Sequence, residues 1–231
     1  MKLSASFFWK HLFLSLSLLL ATSVAVGQET GSPAPEIQDL GNGLVRIGSI
    51  ELDRNRRQFT ATGKLLRHEG PLEYLAVTRG GLKAYESLLE LDANAFEFNM
   101  ACIIIGLDSA HAKLPRYFFD EAPVEGDSVA IHIIWQADGK ESEIDAEQAL
   151  INDGKPIGPA VWSYTGSSFT PENDYMAATD GTLIGLAHDP ASIIEHRKGL
   201  GIGSYGAVAG EPKKLPEVGT RIRIKISVKI E

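Results

Sequence analysis

The stretch GPLEYLAVTRGGLKAYESLLELDANAFEFNMACIIIG, residues Gly70 to Gly106, decides the fold of this 231-residue chain. Two β-prone runs, Glu73–Thr78 and Leu82–Leu91, flank the pair Gly80-Gly81. Short apolar runs on either side of two glycines are typical of a β-hairpin. We therefore expect two antiparallel strands here, followed directly by a helix.

Both ends of the predicted helix carry recognisable signals. Asn94 can cap the first turn, Glu97 stands three residues later as in a capping box, and Gly106 ends the run. The apolar side chains at helical spacing on one face are Phe96, Met100, Ile103 and Leu107. Such a stripe normally packs on a core, so we expect this face to be buried, with Cys102 as an inert core thiol.

The rest of the chain alternates β-prone runs with turns. Those runs are Leu44–Leu52, Gln58–Leu66, Val129–Gln136, Lys140–Ile144, Val161–Thr165, Tyr175–Thr179, Thr182–Ala187 and residues 221–230. Asp180-Gly181 predicts a hairpin between two of them, and Asp189-Pro190 and Ala146–Ile151 predict short helices. Together these elements predict an α+β fold, mainly antiparallel β-sheet built from hairpins, with about three short helices on one face.

Residues 1–27 have the organisation of a signal peptide. A positively charged start precedes the apolar run Leu12–Leu20, and Ala25-Val26-Gly27 offers a small-x-small cleavage site before Gln28. An uncleaved membrane anchor is the alternative. Residues 28–43 are polar and rich in Gly and Pro and predict a flexible lead-in, and residues 44–231 predict a single domain. We expect an exported protein, periplasmic or extracellular, with no stable membrane anchor after cleavage.

Charge and cysteine content restrict the possible ligands. The chain has a net charge of −8, and removal of residues 1–27 leaves 20 basic against 30 acidic residues. Because such a chain repels phosphate backbones, nucleic acid is disfavoured as a partner. Cys102 is the single cysteine, so one chain cannot hold an iron–sulfur cluster on thiolates or a cysteine-type zinc site. No two histidines stand three or four residues apart, and we predict neither a cofactor nor a metal.

Glu73 and Glu86 are the candidate acid and base, and Tyr85 is a candidate polar group to orient them. Counting outward from Gly80-Gly81, a hairpin brings the two carboxyl groups close to facing positions, although the sequence does not fix the register. A hydrolase built on them requires carboxyl groups roughly 5–10 Å apart across a cleft. The competing interpretation is a solvated sheet face on which the two carboxylates do nothing chemical.

A second candidate region is residues 162–169, WSYTGSSF. Its aromatic and hydroxyl side chains suit either a core strand that leads into a turn or the wall of a site for a sugar or aromatic ligand. The candidate ligand-binding residues are Ser87, Trp162, Gly166, Ser167 and Phe169.

Three further motifs have structural explanations beside functional ones. The basic positions that alternate with isoleucine over residues 221–229 fit a solvated face or a protected edge, or an anion or partner site. Residues 201–206, GIGSYG, match a dinucleotide fingerprint, but the prolines that follow prevent the helix that such a site needs, so we expect a loop. His188 is interpreted as a loop residue beside Asp189, a helix-capping aspartate.

Several blocks of this sequence, taken together, resemble a known family. GPLEYLAV, GGLKAYESLL and ACIIIGL are followed by VWSYTGSSF and YMAATDGTLIGLAHDPASII. Over about Ile50 to Glu195, this order is similar to the YdjY-type domain of exported bacterial proteins. The family-like positions are Gly70, Glu73, Tyr74, Glu86, Ser87, Trp162, Gly166, Ser167 and Phe169. The resemblance implies no defined activity for them. A ferredoxin-like label on some members implies a redox-accessory role, which a single cysteine restricts to one without a cluster.

Three functions are open from the sequence. The first is a non-enzymatic binding or accessory domain that uses the loop of residues 162–169 to contact an exported protein or a cell-envelope ligand. The second is a hydrolase-type enzyme that uses the Glu73/Glu86 carboxylate pair, and the third is a cluster-free redox-accessory protein. Because the sequence holds no complete catalytic constellation, we favour the binding or accessory domain.

Overall fold

The structure, a computed structural model, describes residues 36–229, and β-strands make up most of their regular structure. The strands are β1 (Ile37–Gly41), β2 (Leu44–Ile47), β3 (Ile50–Asp53), β4 (Gln58–Leu65), β5 (Tyr74–Thr78), β6 (Ser87–Leu91), β7 (Asp127–Ala137), β8 (Lys140–Asp145), β9 (Leu150–Asn152), β10 (Lys155–Pro156), β11 (Trp162–Tyr164), β12 (Thr182–Gly185), β13 (Ile194–His196), β14 (Val208–Gly210) and β15 (Arg221–Val228). The α-helices in this range are α1 (Ala95–Ile104) and α2 (Met176–Asp180), and Ala84–Glu86 and Ala146–Ala149 form short 3₁₀ turns. No helix within residues 36–229 has both the length and the apolar character needed to cross a membrane.

Eight of the strands close into a barrel. The order around it is β4, β15, β7, β11, β13, β12, β5 and β6, and β6 returns to pair with β4. Neighbours are antiparallel except for the parallel pairs β12–β13 and β5–β6. The expectation of an α+β fold with about three short helices on one face is therefore wrong, because the described chain is mostly β and its sheet closes on itself. The helix predicted over residues 146–151 is a 3₁₀ turn followed by β9.

Two predicted elements near residue 180 are also wrong. The hairpin expected at Asp180-Gly181 is replaced by the end of α2, where Gly181 has a left-handed φ of 75° and donates its N–H to the Ala177 carbonyl. A helix C-cap requires the same glycine as a hairpin turn, so the dipeptide alone does not separate the two. The helix expected after Asp189-Pro190 is a single turn, in which the Asp189 carboxylate accepts the Ala191 N–H at 2.9 Å before the chain enters β13.

The stretch that opens the sequence analysis folds as a parallel pair, which corrects the predicted hairpin. β5 and β6 run in the same direction, with Tyr74 opposite Ser87. Residues 79–86 carry the chain back from the end of β5 to the start of β6, partly as a 3₁₀ turn, and the Gly81 N–H donates to the Thr78 carbonyl at 3.0 Å. The two glycines therefore begin a compact crossover connection, and this reverses the direction of β6 relative to the prediction.

One edge of β4 is divided between two partners. Its other edge pairs with β15 over residues 58–64, while the divided edge pairs first with β3 and then with β6. The second pairing begins at Gly63, where a Cβ atom would lie 2.3 Å from the Glu90 carbonyl oxygen. Because only glycine admits so close an approach, Gly63 allows β6 to reach β4 and close the barrel.

The β-sheet also extends beyond the barrel. β1, β2 and β3 continue from β4 as an antiparallel meander, and β10, β9 and β14 form a separate three-stranded sheet. Part of the predicted flexible lead-in is thus a strand, because Ile37–Gly41 pairs with β2. The predicted signal peptide, residues 1–27, and the first part of the lead-in lie outside the described residues.

The ends of α1 are as predicted, but its buried face is not. The Asn94 side chain accepts the Glu97 N–H at 2.9 Å and the Glu97 carboxylate accepts the Asn94 N–H at 3.2 Å, which confirms the capping box. The side chains of α1 that pack into the core are Ala95, Phe98, Ala101 and Cys102. Phe96 and Ile103, both expected in the core, are 45% and 56% exposed. Phe98 instead packs edge-on against Phe59 of β4, with ring centroids 5.2 Å apart.

β15 has the amphipathic pattern that its sequence predicts. Ile222, Ile224 and Ile226 are buried in the core, and Arg223 and Lys225 alternate with them. Arg223 forms an ion pair with Glu141, and Lys225 forms one with Glu143. Both glutamates lie on β8, which pairs with β7. β15 has a partner on each side, so the expectation of a protected edge is wrong, and its basic groups are matched by acidic groups of the same chain.

Candidate functional site

The parallel pairing of β5 and β6 brings Glu73 and Glu86 together. The two residues immediately precede these strands, and the Glu73 N–H donates to the Glu86 carbonyl at 2.9 Å. Both side chains are buried, 6% and 3% exposed, and their carboxyl groups hydrogen bond to each other. The predicted partners therefore meet, but in hydrogen-bonding contact rather than roughly 5–10 Å apart across a cleft.

Burial and mutual repulsion make this pair hold a proton. Burial raises the pKa of Glu73 to about 7, and the neighbouring charge of Glu86 adds to the effect. Lys83 Nζ lies 3.0 Å from Glu86 Oε1 and supplies a positive charge on the other side. Glu73 is therefore partly protonated at neutral pH, and the Lys83 ammonium group offsets carboxylate charge at the pair, as expected when like charges are forced together.

Aromatic rings surround the Lys83 ammonium group. Its Nζ lies 5.9 Å from the centroid of Tyr74, 5.9 Å from that of Tyr85 and 5.3 Å from that of Phe118. A hydrogen bond to Glu86 raises the pKa of the exposed Tyr85. Tyr85 is therefore in contact with Glu86, as its predicted orienting role requires, and the rings hold Lys83 in place by cation–π attraction.

Hydrogen bonds link Tyr74 to Asp189 and Asp189 to Glu195. The Tyr74 hydroxyl donates to Asp189 Oδ2 at 2.6 Å, and the Asp189 N–H donates to Glu195 Oε1 at 2.9 Å. Glu195 is fully buried, and burial raises its pKa well above the usual glutamate value. Sequence reasoning missed Glu195, whose one signal is an acidic residue directly after the apolar pair Ile193-Ile194.

His188 is a loop residue, as predicted, and it is fully buried. Its ring nitrogens lie 2.6 Å from the Asp120 carbonyl oxygen and 3.0 Å from the His196 carbonyl oxygen. Each contact joins the loop after β12 to another part of the chain, so this histidine fixes the wall beside Asp189.

The space next to Glu73 is small and covered by a glycine-rich loop. The cavity measures about 10 Å³ and is lined by Glu73, Leu72, Phe119, Tyr205 and residues of the loop at 200–206. This volume is close to the minimum for one water molecule. β14 follows GIGSYG, which confirms the predicted loop; the helix N-terminus that a dinucleotide fingerprint requires does not follow it.

The stretch from Trp162 to Phe169 is mostly a core strand and a turn. Trp162 is buried edge-on against His196, with centroids 5.4 Å apart. Gly166 and Ser167 have left-handed φ angles of 81° and 66°, and Ser167 Oγ donates to the Ala191 carbonyl at 2.8 Å. Phe169, by contrast, is 60% exposed. The core-and-turn interpretation therefore describes all of this stretch except Phe169.

The candidate residues do not line one shared pocket. Ser87 is buried below the Glu73–Glu86 pair and donates to the Lys83 carbonyl at 2.7 Å. Trp162 lines a different cleft, of about 160 Å³, with Glu147 and Lys229. Within residues 36–229, no three His, Cys, Asp or Glu side chains are grouped so that they could hold a metal ion. Cys102 is buried, and burial raises the pKa of its thiol, which confirms a core position.

An aromatic row that the sequence did not predict links Phe169 to α1. The Tyr175 ring lies 5.3 Å from the centroid of Phe169 on one side and 5.3 Å from that of Phe96 on the other. The Tyr175 hydroxyl is anchored by donation to the Gly166 carbonyl at 3.0 Å. The row has a buried middle and two exposed ends.

Comparison with known proteins confirms the resemblance seen in the sequence. The family model of the YdjY domain matches residues 50–227, which is more than half of the chain. No curated protein and no solved structure matches the chain. The match therefore identifies the family of the chain.

Proposed function

Because the chain belongs to the YdjY domain family, we propose that it is an exported, non-enzymatic binding or accessory domain of bacteria. In this proposal the Glu73–Glu86 pair stabilises the join between β5 and β6. Partner contact takes place at the exposed surface around Phe169. The ligand is an exported protein or a component of the cell envelope.

The observation that carries the proposal is the enclosure of the carboxyl pair. Glu86 is engaged by Lys83 and Tyr85, and Glu73 by Glu86 itself. The adjoining cavity of about 10 Å³ has no room for a substrate, whereas ligand sites for small molecules usually occupy hundreds of Å³. A site with this geometry favours a structural role for the carboxyl groups.

A photo-cross-linking amino acid placed at position 169 tests the proposal in cells that produce the full-length chain. Position 205, where the native Tyr205 is 70% exposed, is the control because it lies on the loop above Glu73. We expect a discrete cross-linked product of higher mass from position 169 and none from position 205. The absence of a product at 169, or equal products from both positions, would contradict the proposal.

A hydrolase-type function is the second candidate, and the raised pKa of Glu73 favours it. A carboxyl group with a pKa of about 7 that shares a proton with a neighbour can donate or accept a proton at neutral pH. This function requires the loop at 200–206 to move away from Glu73. Turnover of a cell-wall glycan by the purified protein, abolished by Glu86→Gln and retained by Glu69→Gln at an exposed site, would establish it in place of the first proposal.

A further inference from the structure

α1 carries apolar side chains on two opposite faces, with Glu97 and Asn99 between them, and only one of these faces packs on the core. Phe98, Ala101 and Cys102 are buried, while Phe96 and Ile103 project into solvent on the opposite face. The polar face of a surface helix normally points to solvent, whereas an apolar face normally packs against another surface. The outward face of α1 therefore has the composition of a buried surface without being covered in the described chain.

The exposed apolar surface continues from α1 onto the neighbouring loop. Tyr175 bridges Phe96 and Phe169 through two ring contacts of 5.3 Å each. We name the surface formed by Phe96, Met100, Ile103, Phe169 and Tyr175 the α1–Phe169 patch. Contiguous apolar surfaces that combine aromatic and aliphatic side chains are typical of protein interaction sites.

The segments that form this patch contribute acidic side chains and no lysine or arginine. Residues 84–112 and 156–196 contain neither basic residue. Glu172 and Asp174 are exposed in the loop between Phe169 and Tyr175, and Asp108 is exposed just beyond α1. Arg57 reaches the same end of α1, where its guanidinium donates to the carbonyl of Ile105 at 3.1 Å and to that of Gly106 at 3.0 Å.

We propose that the α1–Phe169 patch docks a basic amphipathic helix of an exported partner protein; this inference rests on the proposed binding function. The apolar side of the partner helix packs on Phe96, Ile103 and Phe169, and its lysine or arginine side chains face Glu172 and Asp174. The ten residues of α1 span about 15 Å, which matches about three turns of a partner helix.

Charge separates this partner from two other occupants. A second copy of the chain would place one acidic loop near another across the interface, and like charges in contact oppose association. An anionic lipid surface is repelled by the same carboxylates. A basic helix gains both the apolar contact and the attraction.

Two fluorescein-labelled synthetic peptides test the inference, one an 18-residue amphipathic helix of leucine and lysine and the other the same pattern with glutamate in place of lysine. Binding to the protein produced from the full-length sequence is followed by fluorescence anisotropy. We expect the lysine peptide to bind at least tenfold more tightly than the glutamate peptide. The double variant Glu172→Lys, Asp174→Lys should weaken its binding at low salt and lose this effect at high salt.

Matched apolar substitutions locate the contact. Ile103→Ser should weaken binding of the lysine peptide about tenfold or more, because it removes an exposed aliphatic side chain that the bound peptide would bury. Val218→Ser removes an apolar side chain that is also 56% exposed and should change binding less than twofold. An unchanged melting temperature shows that each variant is folded.

Several results would overturn the inference. Equal binding of the two peptides, or equal effects of Ile103→Ser and Val218→Ser, would contradict the proposal that the patch binds a basic helix. Self-association abolished by Ile103→Ser would assign the patch to a second copy, and equally tight binding to phosphatidylglycerol vesicles would assign it to a membrane surface. If position 169 still cross-links in cells while the peptides show no preference, only this inference fails and the binding function stands.

Discussion

Replacing Glu73 by glutamine is expected to remove most of the dependence of stability on pH that the carboxyl pair creates. Glutamine keeps the size of the side chain and can donate a hydrogen bond to Glu86 at every pH. In the wild type, a hydrogen bond between the two carboxyl groups requires that one of them is protonated, and the raised pKa of Glu73 is consistent with this requirement.

The sign and size of the effect follow from the pKa of Glu73. Burial and the charge of Glu86 raise it from 4.5 to about 7, so the folded protein binds more protons than the unfolded chain between these two values. Wild-type stability contributed by Glu73 is therefore complete below about pH 4.5 and is lost as the pH rises through about 7. At about 1.36 kcal/mol for each pK unit, the upper bound is roughly 3 kcal/mol, and remaining hydration of the carboxyl group reduces it to about 2 kcal/mol.

Urea unfolding of the wild type and of Glu73→Gln at several values between pH 4.5 and pH 8 measures this difference. We expect the two proteins to be similar near pH 4.5 and the variant to gain about 2 kcal/mol by pH 8. Other buried groups, such as Glu195, contribute to both proteins and cancel in the difference. Glu69→Gln, at an exposed position, is the control and should track the wild type. A difference that stays constant with pH, or that favours the variant more at acidic pH, would refute the reasoning.

Three further substitutions probe the fold by urea unfolding. Asn94→Ala removes the α1 cap and should cost about 1 kcal/mol, so an unchanged midpoint would contradict the role of the capping box. Phe98→Ala leaves a cavity at a fully buried position and should cost about 3–5 kcal/mol; a loss under 1 kcal/mol would place this ring outside the core. Gly63→Ala forces a Cβ atom against the Glu90 carbonyl and should cost about 2 kcal/mol or more, whereas Gly158→Ala, with open space around it, should be nearly neutral; equal effects would argue against the close approach.

Local signals in the sequence predicted individual elements better than their assembly. The capping box at Asn94, the amphipathic β15 and the β-prone run that forms β7 each depend on neighbouring residues, and the structure confirms them. The pairing partner and direction of a strand depend on residues far away in the chain. Gly80-Gly81 and Asp180-Gly181 are each compatible with several backbone geometries, and tertiary packing selected a crossover and a helix cap instead of hairpins.

The same limit explains the face of α1 that was predicted wrongly. Phe96, Met100 and Ile103 form a convincing apolar stripe, but Phe98, Ala101 and Cys102 form another, and periodicity cannot choose between two apolar faces. Leu107 is buried as predicted and Met100 packs partly on the core, so the exposed members of the predicted stripe are Phe96 and Ile103.

The candidate site was predicted in composition but not in geometry. Glu73, Glu86 and Tyr85 do lie together. The parallel pairing of β5 and β6 brings them there, and counting residues outward from a hairpin turn cannot predict a parallel pairing. Lys83 and Glu195 were overlooked because a lysine in a turn and a glutamate in a short strand carry no motif. Their significance arises only from burial and from the charges that folding places beside them.

The position of β15 between β4 and β7 has a consequence for the order of folding. Ala61 and Ile224 are register partners, so the seam of the barrel joins segments from opposite ends of the described chain. Until residue 228 has been synthesised, β4 and β7 each lack a neighbour, and contacts of such long sequence separation form slowly. For the export proposed above, this delay would keep the barrel unfolded while the chain passes through a translocation channel.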